Sequence, residues 1–119
     1  HGGSDVGDPA ARAANPCMDA VPLRAVGELL DFQSHVDALL PRVRCPALVV
    51  AGALDATVTV AGARRMAGRL GGGARFVVLA RSRHLVAVDV ERDRVAADVA
   101  SFLDSIPARA GVRAREAAR

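Results

Sequence analysis

Residues 46–58 read PALVVAGALDATV, and residues 75–95 read RFVVLARSRHLVAVDVERDRV. Each stretch carries a short, Val-rich apolar run, ALVVAG at 47–52 and RFVVLA at 75–80. Runs this short, rich in β-branched residues, favour strands over helices. Their lack of polar alternation favours strands buried on both faces, as in a parallel sheet. Between them, residues 60–70 have helical spacing, with Ala63, Met66, Ala67 and Leu70 on the inward face. Gly71, Gly72 and Gly73 follow and are expected to end that helix, because glycine accepts the left-handed conformation of a C-cap. Parallel strands need a crossover of a dozen or more residues, and 53–74 supplies one, expected to be right-handed. The sequence therefore predicts an α/β unit.

Working outward, residues 23–40 predict a helix. Leu23, Val26, Leu29, Leu30, Val36, Leu39 and Leu40 fall on one face, Pro22 precedes them and Pro41 is expected to stop the helix. Residues 90–106 predict another, with Val95, Val99, Phe102, Leu103 and Ile106 inward. Asp89 is placed as its N-cap and Glu91 as a favourable charge near the positive end of its dipole. A short helical turn is expected at Pro9–Ala14, with Asp8 as N-cap and Pro9 at the first helical position. The segment from Ala108 to Arg119 has no packing pattern and is expected to be frayed or disordered. Two parallel strands make a poor sheet alone, since both faces and both edges need cover. With a first residue, His1, that is not an initiator Met, this leads us to expect a piece of a longer protein.

Composition sets the outer limits. The chain has 119 residues, the size of one small domain, with 51% hydrophobic and 24% charged residues, which is globular composition. Aromatics are 3%, with no Trp or Tyr, so Ala, Val and Leu must fill the core, and this argues against base-stacking platforms for single-stranded nucleic acid. The net charge of +3 comes from arginines that sit singly or alternate with acids. A nucleic-acid footprint would cluster them on one face, so solvated helix faces are the better reading. No apolar run approaches the ~20 residues of a membrane-spanning helix. Cys17 and Cys45 lack CxxC spacing and no secretory signal precedes them, so free thiols in a reducing, cytoplasmic compartment are expected. His1, His35 and His84 have no metal-ligand spacing, and Gly71–Gly73 follows a helix and lacks GK[ST], so no metal, cofactor or phosphate loop is expected. Met66 reads as core, and His35 as a surface residue.

In open α/β sheets, chemistry gathers beyond the carboxyl ends of the strands. Asp55 follows the first predicted strand and His84 the second, so the topology brings their loops side by side. An imidazole there can serve as general base near neutral pH, and a carboxylate on its other nitrogen fixes the tautomer and stabilises the imidazolium. The plainer alternatives are a turn or cap role for Asp55 and a solvent-exposed loop position for His84.

The stretches PRVRCPALVVAGALDATV and VVLARSRHLVAVDVERDRVAADVASFL resemble the C-terminal part of α/β-hydrolases of the bacterial carboxylesterase and monoacylglycerol-lipase type. Ser82, His84, Asp89, Glu91 and Asp93 occupy the positions of that family's Ser, base His and Asp-x-Glu-x-Asp. The helix with Leu23, Leu29 and Val36 resembles the segment leading from the cap back to the core. GSDVGDP resembles the cap region, and HGG at residues 1–3 is similar to an oxyanion-hole loop of some esterases, although no strand precedes it.

The resemblance implies a cap-region remnant and linker at 1–22, the C-terminal half of an α/β-hydrolase domain at 23–106, and a tail at 107–119. It implies the last two parallel strands of the hydrolase sheet, with Asp55 as triad acid and His84 as base. The implied reaction is hydrolysis of a small-molecule ester or monoacylglycerol by a serine nucleophile, without cofactor. Two departures stand against it. No GxSxG occurs, and Ser4, Ser34, Ser82, Ser101 and Ser105 all lack the strand–Gly–Ser–helix context, so the chain by itself is expected to be inactive. Arg83 stands where the family commonly has Gly, and an inward cation there would disfavour the imidazolium. Other chemistries that share a late acid and His (dehalogenase, epoxide hydrolase, acyltransferase) remain as alternatives, as does a non-catalytic α/β interaction module.

Overall fold

The computed structural model describes residues 4–16 and 21–107. His1 to Gly3, Cys17 and the expected tail from Ala108 lie outside the described residues. Within them the order is α1 (Pro9–Ala14), α2 (Leu23–Leu39), a 3₁₀ turn (Leu40–Arg42), β1 (Leu48–Gly52), α3 (Val60–Arg69), β2 (Arg75–Leu79) and α4 (Arg92–Ser105). β1 and β2 pair in parallel, with Leu48 opposite Arg75 and Gly52 opposite Leu79. The expected small α/β unit is therefore present. No described helix is long and apolar enough to cross a membrane.

The crossover between the strands is α3. Thr59 caps it by accepting the Gly62 N–H at 3.1 Å, satisfying one of the amides that a first turn leaves free. Its buried residues are Ala63 and Ala67, which lie on the face packed against the sheet. Met66, expected in the core, is instead 41% exposed. The small alanines bring the helix backbone close to the sheet and leave the longer Met66 on the flank. Arg64 stacks over the Phe76 ring at 4.5 Å, covering that aromatic with a cation.

The three glycines after α3 act differently from the sequence expectation. The helix ends at Arg69, with Leu70 in extended conformation as C-cap, and only Gly73, at φ 75°, is left-handed. Gly71 and Gly72 serve close approach. Their amides donate to Leu40 O at 3.4 Å and Val43 O at 2.9 Å, seating the loop on the 3₁₀ turn and the segment after it. A Cβ on Gly71 would collide with the Pro41 carbonyl oxygen, and one on Gly72 would lie 2.6 Å from Arg44 O. The α-helix ends at Leu39, just before Pro41 as expected, and Pro41 sits inside the 3₁₀ turn that follows, where a missing N–H costs no helical bond.

Burial rises along both strands toward their carboxyl ends. Leu48, Val49 and Val50 are half-buried, Ala51 and Gly52 are buried, and Leu79 is fully buried. The buried apolar residues are Val6, Ala51, Ala63, Ala67 and Leu79, an Ala-, Val- and Leu-built core as composition required. The expected inward faces of the two longest helices are not buried. α2 has no buried residue, and Leu23 is 88% exposed. On α4, Val95, Phe102 and Ile106 are half-buried while Val99 and Leu103 are exposed. Two strands offer too little surface to cover two helical faces. α4 also starts later than expected, at Arg92, because residues 85–91 turn tightly before it.

Gly71→Ala must displace backbone rather than a side-chain tip, and is expected to destabilise by about 1–3 kcal/mol. Gly68→Ala, on α3 with nothing within 4 Å of the added methyl, is expected to be neutral or stabilising by about 0.5–1 kcal/mol. Urea midpoints of the two variants check this contrast.

Candidate active site

The ends of the two strands are tied together by backbone bonds. Ala53 N–H donates to Leu79 O at 2.8 Å, and Leu54 N–H to Ser82 O at 3.0 Å. The loop after β2 thus lies over the end of β1. Gly52 makes this possible, since a Cβ there would collide with the carbonyl oxygens of Ser82 and Arg83.

The result is that Asp55 and His84 meet. His84 Nδ1 lies 3.0 Å from Asp55 Oδ2. The other carboxylate oxygen, Oδ1, accepts the N–H groups of Thr57 at 2.7 Å and Val58 at 2.8 Å. Asp55 is therefore both a turn residue and a partner of the imidazole: the two expected roles coexist. Its side chain is 7% exposed and that of His84 is 38% exposed. Burial pushes the Asp55 carboxyl up, but the Val58 amide, the His84 bond and the Thr57 amide outweigh it, and its pKa falls below the usual 3.8. An ionised carboxylate only accepts, so in the neutral ring the proton sits on Nδ1 and Nε2 carries the lone pair. Both residues line a cavity of about 250 Å³ whose wall includes Val49, Val50, Val58, Met66 and Val86.

Two buried carboxylates hold the His84 loop. Asp89 is fully buried and accepts four backbone N–H groups: Gly7 and Asp8 at 2.8 Å, Arg83 at 2.7 Å and Val90 at 2.8 Å. This replaces its expected role as N-cap of α4. The helix begins two residues too late for it, and its carboxylate turns instead toward the site loops. Glu91 occupies the N-cap position without capping the helix through its side chain. Its carboxylate reaches back to the Arg81 N–H and the Ser82 hydroxyl, each at 2.8 Å. The Arg81 amide is the main cause that lowers the Glu91 pKa. Burial would raise that of Asp89, but the four amides bring it down to about 2.

Residues 4–8, read in sequence as part of a cap-region remnant and linker, lie across the loops of the site. Val6 is fully buried. Asp5 O accepts from His84 N–H at 3.1 Å, Asp5 Oδ2 accepts from Ala56 N–H at 2.9 Å, and Arg83 Nη1 donates to Asp5 Oδ1 at 3.3 Å. The Arg83 charge beside His84 is thereby matched by a carboxylate. Asp5 had no signal in the sequence, because its partners lie 51 and 78 residues away. The short helix α1 forms as expected, with Asp8 accepting the Ala11 N–H at 2.9 Å.

No described serine bonds His84. Ser82 is buried on Glu91, Ser34 and Ser105 bond back to their own helix carbonyls, and Ser4 accepts from Asn15. His35 is exposed on α2, as expected. Comparison of the chain with protein-family models, curated proteins and solved structures gives no match.

The depressed Asp89 pKa makes an acid-side prediction. Between 3.8 and about 2 the unfolded chain binds a proton that the native Asp89 does not, so stability falls as pH drops through this window. Asp89→Asn, with no carboxylate to protonate, is expected to be less stable near neutrality. It is also expected to have a shallower pH slope there in thermal melts followed by circular dichroism. Residual slope comes from Asp8, Asp55 and Glu91, whose pKa values are also lowered.

Proposed function

We propose that this chain is the C-terminal part of a serine carboxylic-ester hydrolase of α/β-hydrolase type, with Asp55 as triad acid and His84 as general base. The observation that carries the reading is the 3.0 Å contact between Asp55 Oδ2 and His84 Nδ1 at the carboxyl ends of two adjacent parallel strands. The nucleophile is supplied from outside the 119 residues, since no serine here has the strand–turn–helix context.

In this mechanism, Nε2 of His84 takes the proton of the serine hydroxyl as its oxygen attacks the ester carbonyl. The tetrahedral intermediate collapses, the imidazolium returns the proton to the leaving alkoxide, and an acyl-enzyme remains. Water then attacks that acyl group with Nε2 again as base, and collapse releases the acid as the imidazolium returns the proton to the serine oxygen. Asp55 stays ionised throughout, holds the ring with Nδ1 protonated and offsets the positive charge that forms on it. The low Asp55 pKa supports that role. The apolar wall of the neighbouring cavity suits an acyl chain, which supports a small ester or a monoacylglycerol as substrate. A cytoplasmic location belongs to the same proposal and rests on the cysteine usage.

The test has two arms. The 119-residue chain is expected to show no phosphonate-sensitive hydrolysis of p-nitrophenyl butyrate. The coding sequence upstream is expected to contain a GxSxG. In the product that carries it, Asp55→Asn and His84→Gln are each expected to lower kcat by roughly 10³–10⁴-fold. Phosphonate-inhibited hydrolysis by the 119-residue chain, or an unchanged kcat in Asp55→Asn, contradicts the proposal. A glycine-flanked Asp at the nucleophile position points instead to a dehalogenase or epoxide hydrolase.

A further inference from the structure

Beside the acid–base pair lies a second cavity of about 450 Å³, lined by Ser4, Asp5, Arg12, Ala56, Thr57 and Arg83. Ala56 and Thr57 directly follow Asp55, and Arg83 directly precedes His84, so this cavity opens next to both.

Its charges are not balanced. Both Asp5 oxygens are engaged, Oδ1 by Arg83 Nη1 at 3.3 Å and Oδ2 by the Ala56 N–H at 2.9 Å. Arg12 is held differently. Its Nε and Nη2 donate to the carbonyl oxygen of Val6, at 2.8 and 2.5 Å. That oxygen is neutral and belongs to a fully buried residue, so it fixes the guanidinium without cancelling its charge. A guanidinium has five N–H donors, and the Val6 carbonyl uses two of them. The hydroxyl of Ser4 accepts from Asn15 Nδ2 at 2.7 Å, which leaves its own hydrogen to donate. The Thr57 hydroxyl is the third donor on the wall. Among the described residues, two cations against one occupied carboxylate, with two hydroxyl-bearing side chains on the same wall, is the chemistry that receives an oxyanion.

We propose that this cavity binds the oxyanion of a small molecule, a carboxylate or a phosphate monoester, with the Arg12 guanidinium as its main contact and the Ser4 and Thr57 hydroxyls as further donors. The site stands on its own donors and does not need the Asp55–His84 pair to be catalytic. Taken together with ester hydrolysis, it selects esters that also carry an anionic group.

The test is a titration of the 119-residue chain with sodium phosphate and, separately, sodium acetate, at ionic strength held constant with sodium chloride. ¹H–¹⁵N spectra follow the Arg12 Nε–H and the Thr57 amide. Saturable shifts with a dissociation constant of roughly millimolar order are expected for at least one anion. Arg12→Gln is expected to weaken that binding by about tenfold or more, and Thr57→Val by about threefold. Thr57 is exposed, so its variant keeps the proposal testable should Arg12→Gln fail to fold. Tighter phosphate binding assigns a phosphate monoester, and tighter acetate binding a carboxylate. Linear, unsaturating shifts with both anions overturn the site. So does saturable binding that Arg12→Gln leaves unchanged, or that Thr57→Val leaves unchanged if Arg12→Gln does not fold. Neither result bears on the hydrolase reading, whose test is kinetic.

Discussion

The carboxylate of Asp89 is the group on which the site end of the molecule hangs. It is fully buried and is stabilised by four backbone N–H groups rather than by a cation. A bare carboxylate in that place would be costly; four amides aimed at it offset the lost hydration and hold it ionised. Those amides come from three separate segments: Gly7 and Asp8 before α1, Arg83 in the loop after β2, and Val90 before α4. One charge therefore gathers the N-terminal strap, the His84 loop and the entry to the last helix. Glu91 adds a second anchor on the same loop through the Arg81 amide and the Ser82 hydroxyl.

Apolar burial is sparse beside this polar scaffold. Only Val6, Ala51, Ala63, Ala67 and Leu79 form the buried apolar core among the described residues, and of these Ala51 and Leu79 sit at the carboxyl ends of the strands. By contrast α2 buries nothing and its apolar face is largely exposed, while that of α4 is only partly covered. The most tightly specified part of the fold is thus the part that positions Asp55 and His84. The proposed acid–base role needs a geometry held within a fraction of an ångström, and supporting hydrogen bonds are the usual means. The Asp5 carbonyl on the His84 amide, and the Thr57 and Val58 amides on Asp55, supply such bonds.

Much of the fold was legible in the sequence because it rests on local rules. The Val-rich runs gave both strands to within a residue, and the Asp8–Pro9 pair gave α1 with its cap. The meeting of Asp55 and His84 followed from topology, since residues after adjacent parallel strands must end up together. What the sequence hid depends on long-range closeness. Gly71 and Gly72 read as helix caps, yet they are needed for contact with the segment around Pro41 and Arg44. Asp89 reads as a cap by its position, but its carboxylate is drawn to amides as far as 82 residues away. Asp5 carried no signal because nothing local marks a residue that bridges two distant loops. The helical faces were read correctly as apolar, but periodicity cannot say whether a layer exists to cover them.

The most direct check is on the proton of His84. The geometry requires that Asp55, acting only as acceptor, fix the neutral ring with its proton on Nδ1. Long-range ¹H–¹⁵N spectra of the ring nitrogens, taken with the imidazole neutral, report this. The expected result is a protonated Nδ1 and a bare Nε2, with the preference lost in Asp55→Asn. A neutral ring protonated on Nε2, or a tautomer indifferent to Asp55→Asn, would contradict the acid–base pairing on which the functional proposal stands.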